Sequence, residues 1–376
     1  MTVLDLPSTR EEAWRWADLG ALSAAAALAP VARAEAQFLD LPGAKLLFVD
    51  GVLDEAASTL DRVTLADIAP SEHPLGRRAS RGWSLRLDKD AVADPVQVVH
   101  VATGAQNHLA AQIVLAEDAV ATVVETFVGA GWSNRATRIE LGHAARLMRA
   151  VRFTQAAGFV STRDEAVLGE GASLVGTVLG AGDAGVRVDA AIMLAGEGGY
   201  AEFGGAFLTR DQTKQECAVR VRHAAPTGQS HQLWRAVAAG RSTASLAAAV
   251  EVARHAQKTD GEQSLRGLLL DRTATVNLKP ELEIFADDVK CAHGATVGEL
   301  DARALFYMAS RGIPTARAKA LLTRAFVADA LDRIGRDEVR EAFMADADAW
   351  LENSLSRRER EGARLAQPGG KGEGEA

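Results

Sequence analysis

Leucines at positions 115, 141, 168 and 194 are evenly spaced to within one position, and each opens a tight run of small or acidic residues. The four runs are Leu115-Ala-Glu-Asp-Ala119, Leu141-Gly-His-Ala-Ala145, Leu168-Gly-Glu-Gly-Ala172 and Leu194-Ala-Gly-Glu-Gly198. A further Leu270-Asp-Arg-Thr-Ala274 lies beyond Leu194 by close to three more such steps. Between these points, from Trp83 to Gly298, the chain is a succession of short β-prone runs with many glycines and few long helical periods. A leucine ending one strand, a tight turn and another strand suit successive coils of a β-solenoid, each coil burying its apolar face against its neighbours. A β-sandwich whose turns fall evenly satisfies the same spacing.

The flanks read differently. Ser8-x-x-Glu11 and Thr9-x-x-Glu12 are capping-box patterns that open a helix just before Trp14. Ala21 to Gln37 is alanine-rich but interrupted by Pro30, which predicts one broken helix or two short ones. Trp14 and Trp16 read as packing residues. Lys45–Val49 and Val52-Leu53 flank Asp50-Gly51, a two-residue turn that predicts a β-hairpin, and Pro70, Ser71, Pro74 and Gly76 mark a linker. After Leu300 the pattern becomes helical. Ala304, Leu305 and Met308 form a stripe that ends at Arg311-Gly312. Pro314 suits the first turn of a second helix with an apolar face of Ala318, Leu321, Leu322, Ala325, Phe326, Ala330 and Leu331. A third amphipathic segment runs from about Asp337 to Leu355, followed by the solvated charge run Arg357–Glu361 and a disordered tail.

Composition enters mainly by exclusion. The balance of 42 Lys and Arg against 50 Asp and Glu gives a net charge of −8, which argues against binding the phosphate backbone of nucleic acids. Two cysteines exclude a disulfide framework and fit a reducing compartment. No apolar run reaches the roughly 18 residues of a membrane span, and no basic-then-apolar signal pattern opens the chain. A cytoplasmic location and no membrane partner are therefore expected.

The stretch Glu281 to Asp301 holds the one chemical pair of interest. Leu282 and Ile284 alternate with Glu281 and Glu283, the period of an extended strand. If that strand continues, Cys291 and His293 leave the backbone on one face. A thiolate beside an imidazole suits zinc, Cu(I) or iron, but a tetrahedral site needs four ligands, so the pair is at most half a site. A packed thiol and a hydrogen-bonded imidazole satisfy the same spacing. Gly180-Ala-Gly-Asp-Ala-Gly185 has the form of a dinucleotide fingerprint, yet a strand-like run follows it where a helix is required. No phosphate-binding G-x-x-x-x-G-K-[ST] motif, H-E-x-x-H or G-x-S-x-G occurs. His100 and His108 read as surface or satisfied core histidines, Cys217 as structural, and Gln257-Lys-Thr-Asp260 with Gln263 as a polar turn.

Lys279–Ile313, His223-Ala-Ala-Pro226, Ala256-Gln-Lys-Thr-Asp260 with Gln263 and Leu268–Asp271, and the opening Leu6–Arg15 together resemble the SufD family. That family supplies a subunit of the bacterial SUF iron–sulfur cluster assembly machine. The match covers both ends and the second half; residues 107–215 share only texture. The resemblance implies a mainly β protein: a right-handed parallel β-helix (solenoid) core over 81–298, flanked by an N-terminal helical region with a hairpin over 1–80 and a C-terminal helical domain over 299–362, with a tail over 363–376. It implies a non-catalytic scaffold that pairs with a SufB-like subunit and docks a SufC-like ABC ATPase through its C-terminal helices. Leu305, Phe306, Leu321, Leu322 and Phe326 are the candidate docking residues there. It also places His293, and more weakly Cys291, at the SufB interface as contacts for a transient iron–sulfur cluster, with iron on His293. No cluster is expected to be held stably by the isolated chain, and a homodimer is expected where the partner is missing. Two rivals are a solenoid carbohydrate-active enzyme or acyltransferase, which needs clustered groove acids or a hexapeptide repeat, and a metal-free interaction solenoid.

Overall fold

The computed structural model describes residues 4–366, with side chains to residue 354. Near the N-terminus a single 3-10 turn, Glu12–Trp14, precedes helix α1 (Leu19–Ala26). Neither capping box is used. The cap of α1 is Asp18, whose Oδ1 accepts the Ala21 N–H at 3.0 Å, while the Ser8 hydroxyl accepts the Arg10 N–H. Of the one broken or two short helices expected over Ala21 to Gln37, only the first piece forms, and it ends at Ala26. Beyond it the backbone pairs with the next layer instead of with itself: Val31 N–H donates to Thr103 O at 2.8 Å and Ala105 N–H to Leu28 O at 2.8 Å.

The hairpin forms as its turn residues dictate. β1 (Lys45–Val49) and β2 (Val52–Leu53) close around Asp50 at φ 48° and Gly51 at φ 81°, the left-handed pair a type I′ turn requires. β3 (Val63–Asp67) and β4 (Arg81–Leu87) form a second antiparallel pair. From β4 onward the pairing is parallel, through β5 (Val96–Leu115), β6 (Val120–Leu141), β7 (Arg146–Phe153), β8 (Ala157–Leu168), β9 (Ser173–Gly180) and β10 (Gly185–Leu194). The stack continues with β11 (Tyr200–Thr209), β12 (Lys214–His223), β13 (Gln229–Ala238), β14 (Thr243–Val252), β15 (Asp260–Leu269), β16 (Thr275–Ile284) and β17 (Lys290–Glu299). Even-numbered strands from β6 pair with one another on one wall, odd-numbered strands from β7 on the other. This is a parallel β-solenoid. Its first rung is laid by β1, which pairs with β5, so the hairpin is hydrogen-bonded into the stack upstream of residue 81.

The leucine spacing is a ladder. Leu87, Leu115, Leu141, Leu168 and Leu194 are successive Cα partners. Beyond Leu194 the coils lengthen, and the same column is filled by His223, Val252 and Ile284. Leu270, expected three steps on, instead follows β15 on the opposite wall. β6 turns a corner within its length: its first half pairs with β7 and its second with β8. Gly104, Gly131 and Gly158 stack at that corner with φ of 122°, 142° and 90°. A Cβ on Gly158 would lie 2.2 Å from Gly131 O, so the coils approach too closely for any side chain there.

Most of the interior is aliphatic, but the early coils enclose a charged cluster. Fully buried His100 has Nε2 3.1 Å from Glu125 Oε2, and its Nδ1 accepts from Arg135 Nε at 3.0 Å. An accepting Nδ1 fixes the neutral ring with its proton on Nε2. Arg149 donates to Glu125 at 2.9 Å and also to Asp164. Burial alone would raise Glu125, but Arg149 and His100 hold its carboxyl down to about 2. Burial, reinforced by Arg135, pulls His100 down to about 4. Burial also pulls His108 and His223 down to about 4.

Linkage gives these three rings a sign. Unfolded, they take up protons near 6.5; folded, they resist until about 4. Their contribution is therefore complete above about pH 7 and lost as pH falls from 6.5 towards 4. For His100 the loss at pH 5 is on the order of 2 kcal/mol. Urea unfolding at pH 7.5 and 5.0 should show it, and His100→Gln should flatten the pH dependence; equal midpoints at both pH values would contradict it.

The outer faces are covered by helices. Trp14, Leu22 and Ala25 pack on Trp132 and Phe159. At the other end come α2 (Ala302–Ser310), α3 (Thr315–Leu331) and α4 (Asp337–Ala366). Val327, Leu331, Phe343 and Trp350 of α3 and α4 cover Ala150, Leu179, Leu208, Val237 and Leu268 on the odd-numbered wall. Arg235–Asp329, and Arg152–Asp346 at 2.8 Å, tie the layers. Pro314 occupies the N-cap of α3 rather than its first turn. α4 runs into the segment expected as tail, and residues 367–376 lie outside the described residues.

Candidate functional site

β17 is the last strand of the stack. Its register sets Cys291 on Gly261, His293 on Gln263, Ala295 on Leu265 and Val297 on Gly267. Gly261, Gln263, Leu265 and Gly267 are the buried alternation of β15. Cys291 and His293 therefore share the face that continues the solenoid interior, as the period of two predicts. Cys291 is half-buried beside Val250, Leu282 and Val289, and a Cβ on Gly261 would meet its Sγ at 3.4 Å. Burial pushes its thiol up from the ordinary value, so alone it is a protonated space-filling group. His293 is exposed, as is every residue from Ala292 to Glu299. β16 is only half-covered and presents Ile284 and then Phe285 to solvent. Among the described residues no group of three or more His, Cys, Asp or Glu is placed to hold a metal. Within one chain the site stops at two side chains.

The other residues singled out by sequence scatter. Cys217 is buried and its thiol is pushed up by that burial, in keeping with a structural role. His108 lies edge-on to Trp132 at 4.9 Å between ring centres. The glycine-rich run at 180–185 is the turn between β9 and β10, with no helix after it. Gln257 and Thr259 build a turn: Gln257 Oε1 accepts the Asp288 N–H at 2.9 Å and the Thr259 hydroxyl donates to Ala256 O at 2.9 Å. Gln263, grouped with them by sequence, is instead buried in the interior.

A groove of about 750 Å³ runs between the Glu12–Trp16 arm and the outer face of β10, β12, β14 and β16. Its carboxylates are spent on neighbours. Asp189 and Glu216 accept from Arg187 at 2.8 and 2.9 Å, Glu281 pairs with Lys279 at 2.9 Å and Glu283 with Arg220 at 3.2 Å. The rival enzyme reading would place its acid and base in such a groove, and each of these four carboxylates is engaged by a cation.

On the C-terminal helices the five candidate docking residues divide. Phe306 is 76% exposed and Leu321 is 37% exposed, whereas Leu305 and Leu322 are half-buried. Phe326 packs against the solenoid layer with the Arg235 guanidinium 5.9 Å from its ring centre, so its ring is not on a free face. No residue of α2 is buried, and Tyr307, not singled out by sequence, is 59% exposed beside Phe306. The Ala304–Leu305–Met308 stripe is the half-buried side of α2, which leaves the two aromatics on the other.

The structure is thus a parallel β-solenoid whose last coil is open and carries Cys291 and His293 on its uncovered end. Comparison with known proteins supplies the class. Residues 98–326 match the family described as SUF system FeS cluster assembly, SufBD core domain, and the chain belongs to that family. Along most of its length it is similar to the iron–sulfur cluster assembly protein SufD of Escherichia coli, 29% identical over 89% of this chain and 86% of that one. It is also similar to protein ABCI7, chloroplastic, of Arabidopsis thaliana, 41% identical over 31% of this chain and 25% of that one. A SufBD family iron–sulfur cluster assembly protein of Mycobacterium tuberculosis is 34% identical over 47% of this chain and 46% of its own. Membership places the chain in iron–sulfur cluster assembly and supports a scaffold role there. Among the described residues no helix is long and apolar enough to cross a membrane.

Proposed function

We propose that the chain is a non-catalytic SUF scaffold subunit that pairs through its terminal coil with a SufB-like paralogue and carries a SufC-like ATPase on α2 and the adjoining face of α3. The observation that supports this best is the open last coil: β17 is hydrogen-bonded to β15 on one side, and its residues from Ala292 to Glu299 are exposed. An unpaired strand edge is a template for another chain. Closing that edge would bury Val297, Ile284 and Phe285, which are 45%, 39% and 59% exposed. It would also bring donors from the partner to Cys291 and His293. The cluster is cargo, held transiently when both chains contribute, and iron is taken by His293. In the absence of the paralogue a second copy of this chain can occupy the same edge.

Co-purification tests the assembly. Tagged chain expressed with its SUF partners should elute with both the paralogue and the ATPase. Phe306→Asp should lose at least ten-fold of the ATPase while keeping the paralogue, and Val297→Asp should do the reverse. Substitution is the cleaner test than deleting the helices from Asp301, because α3 and α4 cover an apolar wall whose exposure would itself damage the fold. Retention of the ATPase by the Phe306 variant would move the docking surface elsewhere.

A further inference from the structure

We infer that Gln263 is a positioning residue for the terminal-coil site, its amide holding the His293 ring and the Cys291 sulfur in place for an iron–sulfur ligand. Gln263 is 1% exposed, and among the described residues neither its Nε2 nor its Oε1 has a hydrogen-bond partner. Leaving both ends of a buried amide unpaired is costly and rarely tolerated without a use. The rung below shows that the position is able to satisfy the donor end of an amide, although Gln232 Oε1 is itself unpaired among the described residues. Gln232, the Cα partner of Gln263 on β13, spans the interior and donates to Ala249 O at 3.0 Å. Ala249 in turn is partnered by Glu281, so the equivalent carbonyl exists one coil on, and Gln263 does not use it.

What lies on the open side of Gln263 is the candidate site. His293 is its Cα partner, and Cys291 is the partner of Gly261 two residues before it on the same face. The amide offers one acceptor and two donors. A histidine that ligates a metal needs its other ring N–H accepted, which fixes the tautomer and raises the ligating nitrogen's basicity; Gln263 Oε1 is the unpaired acceptor directly beneath it. The amide N–H groups suit a thiolate or sulfide at Cys291, where a hydrogen bond stabilises the charged sulfur that burial otherwise disfavours. No covalent step is assigned to Gln263.

This inference rests on the reading of His293 as a cluster contact, and the experiment separates the two. The complex with its paralogue and ATPase is prepared with ¹⁵N-histidine in this chain only, reconstituted with iron and sulfide, and reduced. The ¹⁵N hyperfine coupling of the cluster and the thermal midpoint of the free chain are then measured for wild type, Gln263→Leu, Gln263→Met and Gln263→Glu. Gln263→Leu and Gln263→Met remove an unsatisfied amide without changing the packing volume much, so their midpoints should equal or exceed wild type. Their ¹⁵N coupling should nonetheless change and cluster yield fall about ten-fold, with Gln263→Glu, which keeps an acceptor, restoring part of the coupling. An unchanged coupling and yield in Gln263→Leu would overturn the inference while leaving His293 a ligand. A lowered midpoint with a proportional fall in yield would overturn it as well, making Gln263 a structural residue. Absence of ¹⁵N coupling in wild type would instead remove the reading of His293, and this inference with it.

Discussion

Arg149→Met is expected to destabilise the chain by about 3–5 kcal/mol, the cost of leaving buried charge without its partner. Arg149 is 2% exposed and is the shared cation of Glu125 and Asp164. Burial alone would lower its pKa, but the two carboxylates raise it, so the guanidinium is charged at any pH at which the protein folds. Without it, Glu125 keeps only the neutral ring of His100, and Asp164, whose carboxyl burial already raises, loses the guanidinium on its Oδ2 while its Oδ1 has no partner among the described residues. Arg135 does not replace it. That side chain is turned to His100 and to Asn134 O, and burial draws it down to about 9, so it remains a cation but one aimed elsewhere. Urea unfolding gives the measurement. The further variant Arg149→Met with Glu125→Gln and Asp164→Asn should recover a large part of the loss, because it removes the stranded charges together. A loss below about 1 kcal/mol in the single variant would show the cluster to be open to water.

The contrast between this cluster and the terminal coil shows what the residues can declare in advance. Cys291 and His293 are legible because their relation is local: two residues apart on a strand, they must share a face. The leucine ladder is legible as far as Leu194 because tight turns keep the coil near one length. It fades once the coils lengthen and His223, Val252 and Ile284 take over the column. The charged cluster gives no local sign. Its partners, His100 with Glu125, Glu125 with Arg149 and Arg149 with Asp164, meet only because successive coils stack them, and each alone reads as an ordinary polar residue on a strand. Gln263 escapes the sequence for a related reason. Between Glu262 and Ser264 it has the composition of a turn, and only the parity of β15 turns it inward. The helical reading beyond Ala26 fails through competition, since the segment after α1 finds backbone partners at Thr103 and Ala105 that an isolated helix would not have.

His293→Ala should abolish cluster assembly while leaving the protein and its complex intact, and Cys291→Ala should do neither completely. In the free chain the imidazole of His293 is exposed and, among the described residues, no hydrogen bond, ion pair or ring contact holds it, so its removal takes nothing from the core. Its thermal midpoint should stay within about a degree of wild type, as for a surface substitution. Cys291 differs because its sulfur fills space beside Val250 and Gly261 at the end of the interior. Truncation there removes part of that packing and should cost on the order of 1 kcal/mol, with a modest fall in assembly. The two variants thus separate the roles by opposite symptoms, function without stability for one and stability with partial function for the other. Growth under conditions that require this assembly pathway, the yield of the purified complex and the thermal midpoint of the chain are the three readouts. Should His293→Ala grow normally, the ligand at the open coil is not this imidazole. Should it instead lose the complex, the ring is an interface contact and the cluster sits on other residues.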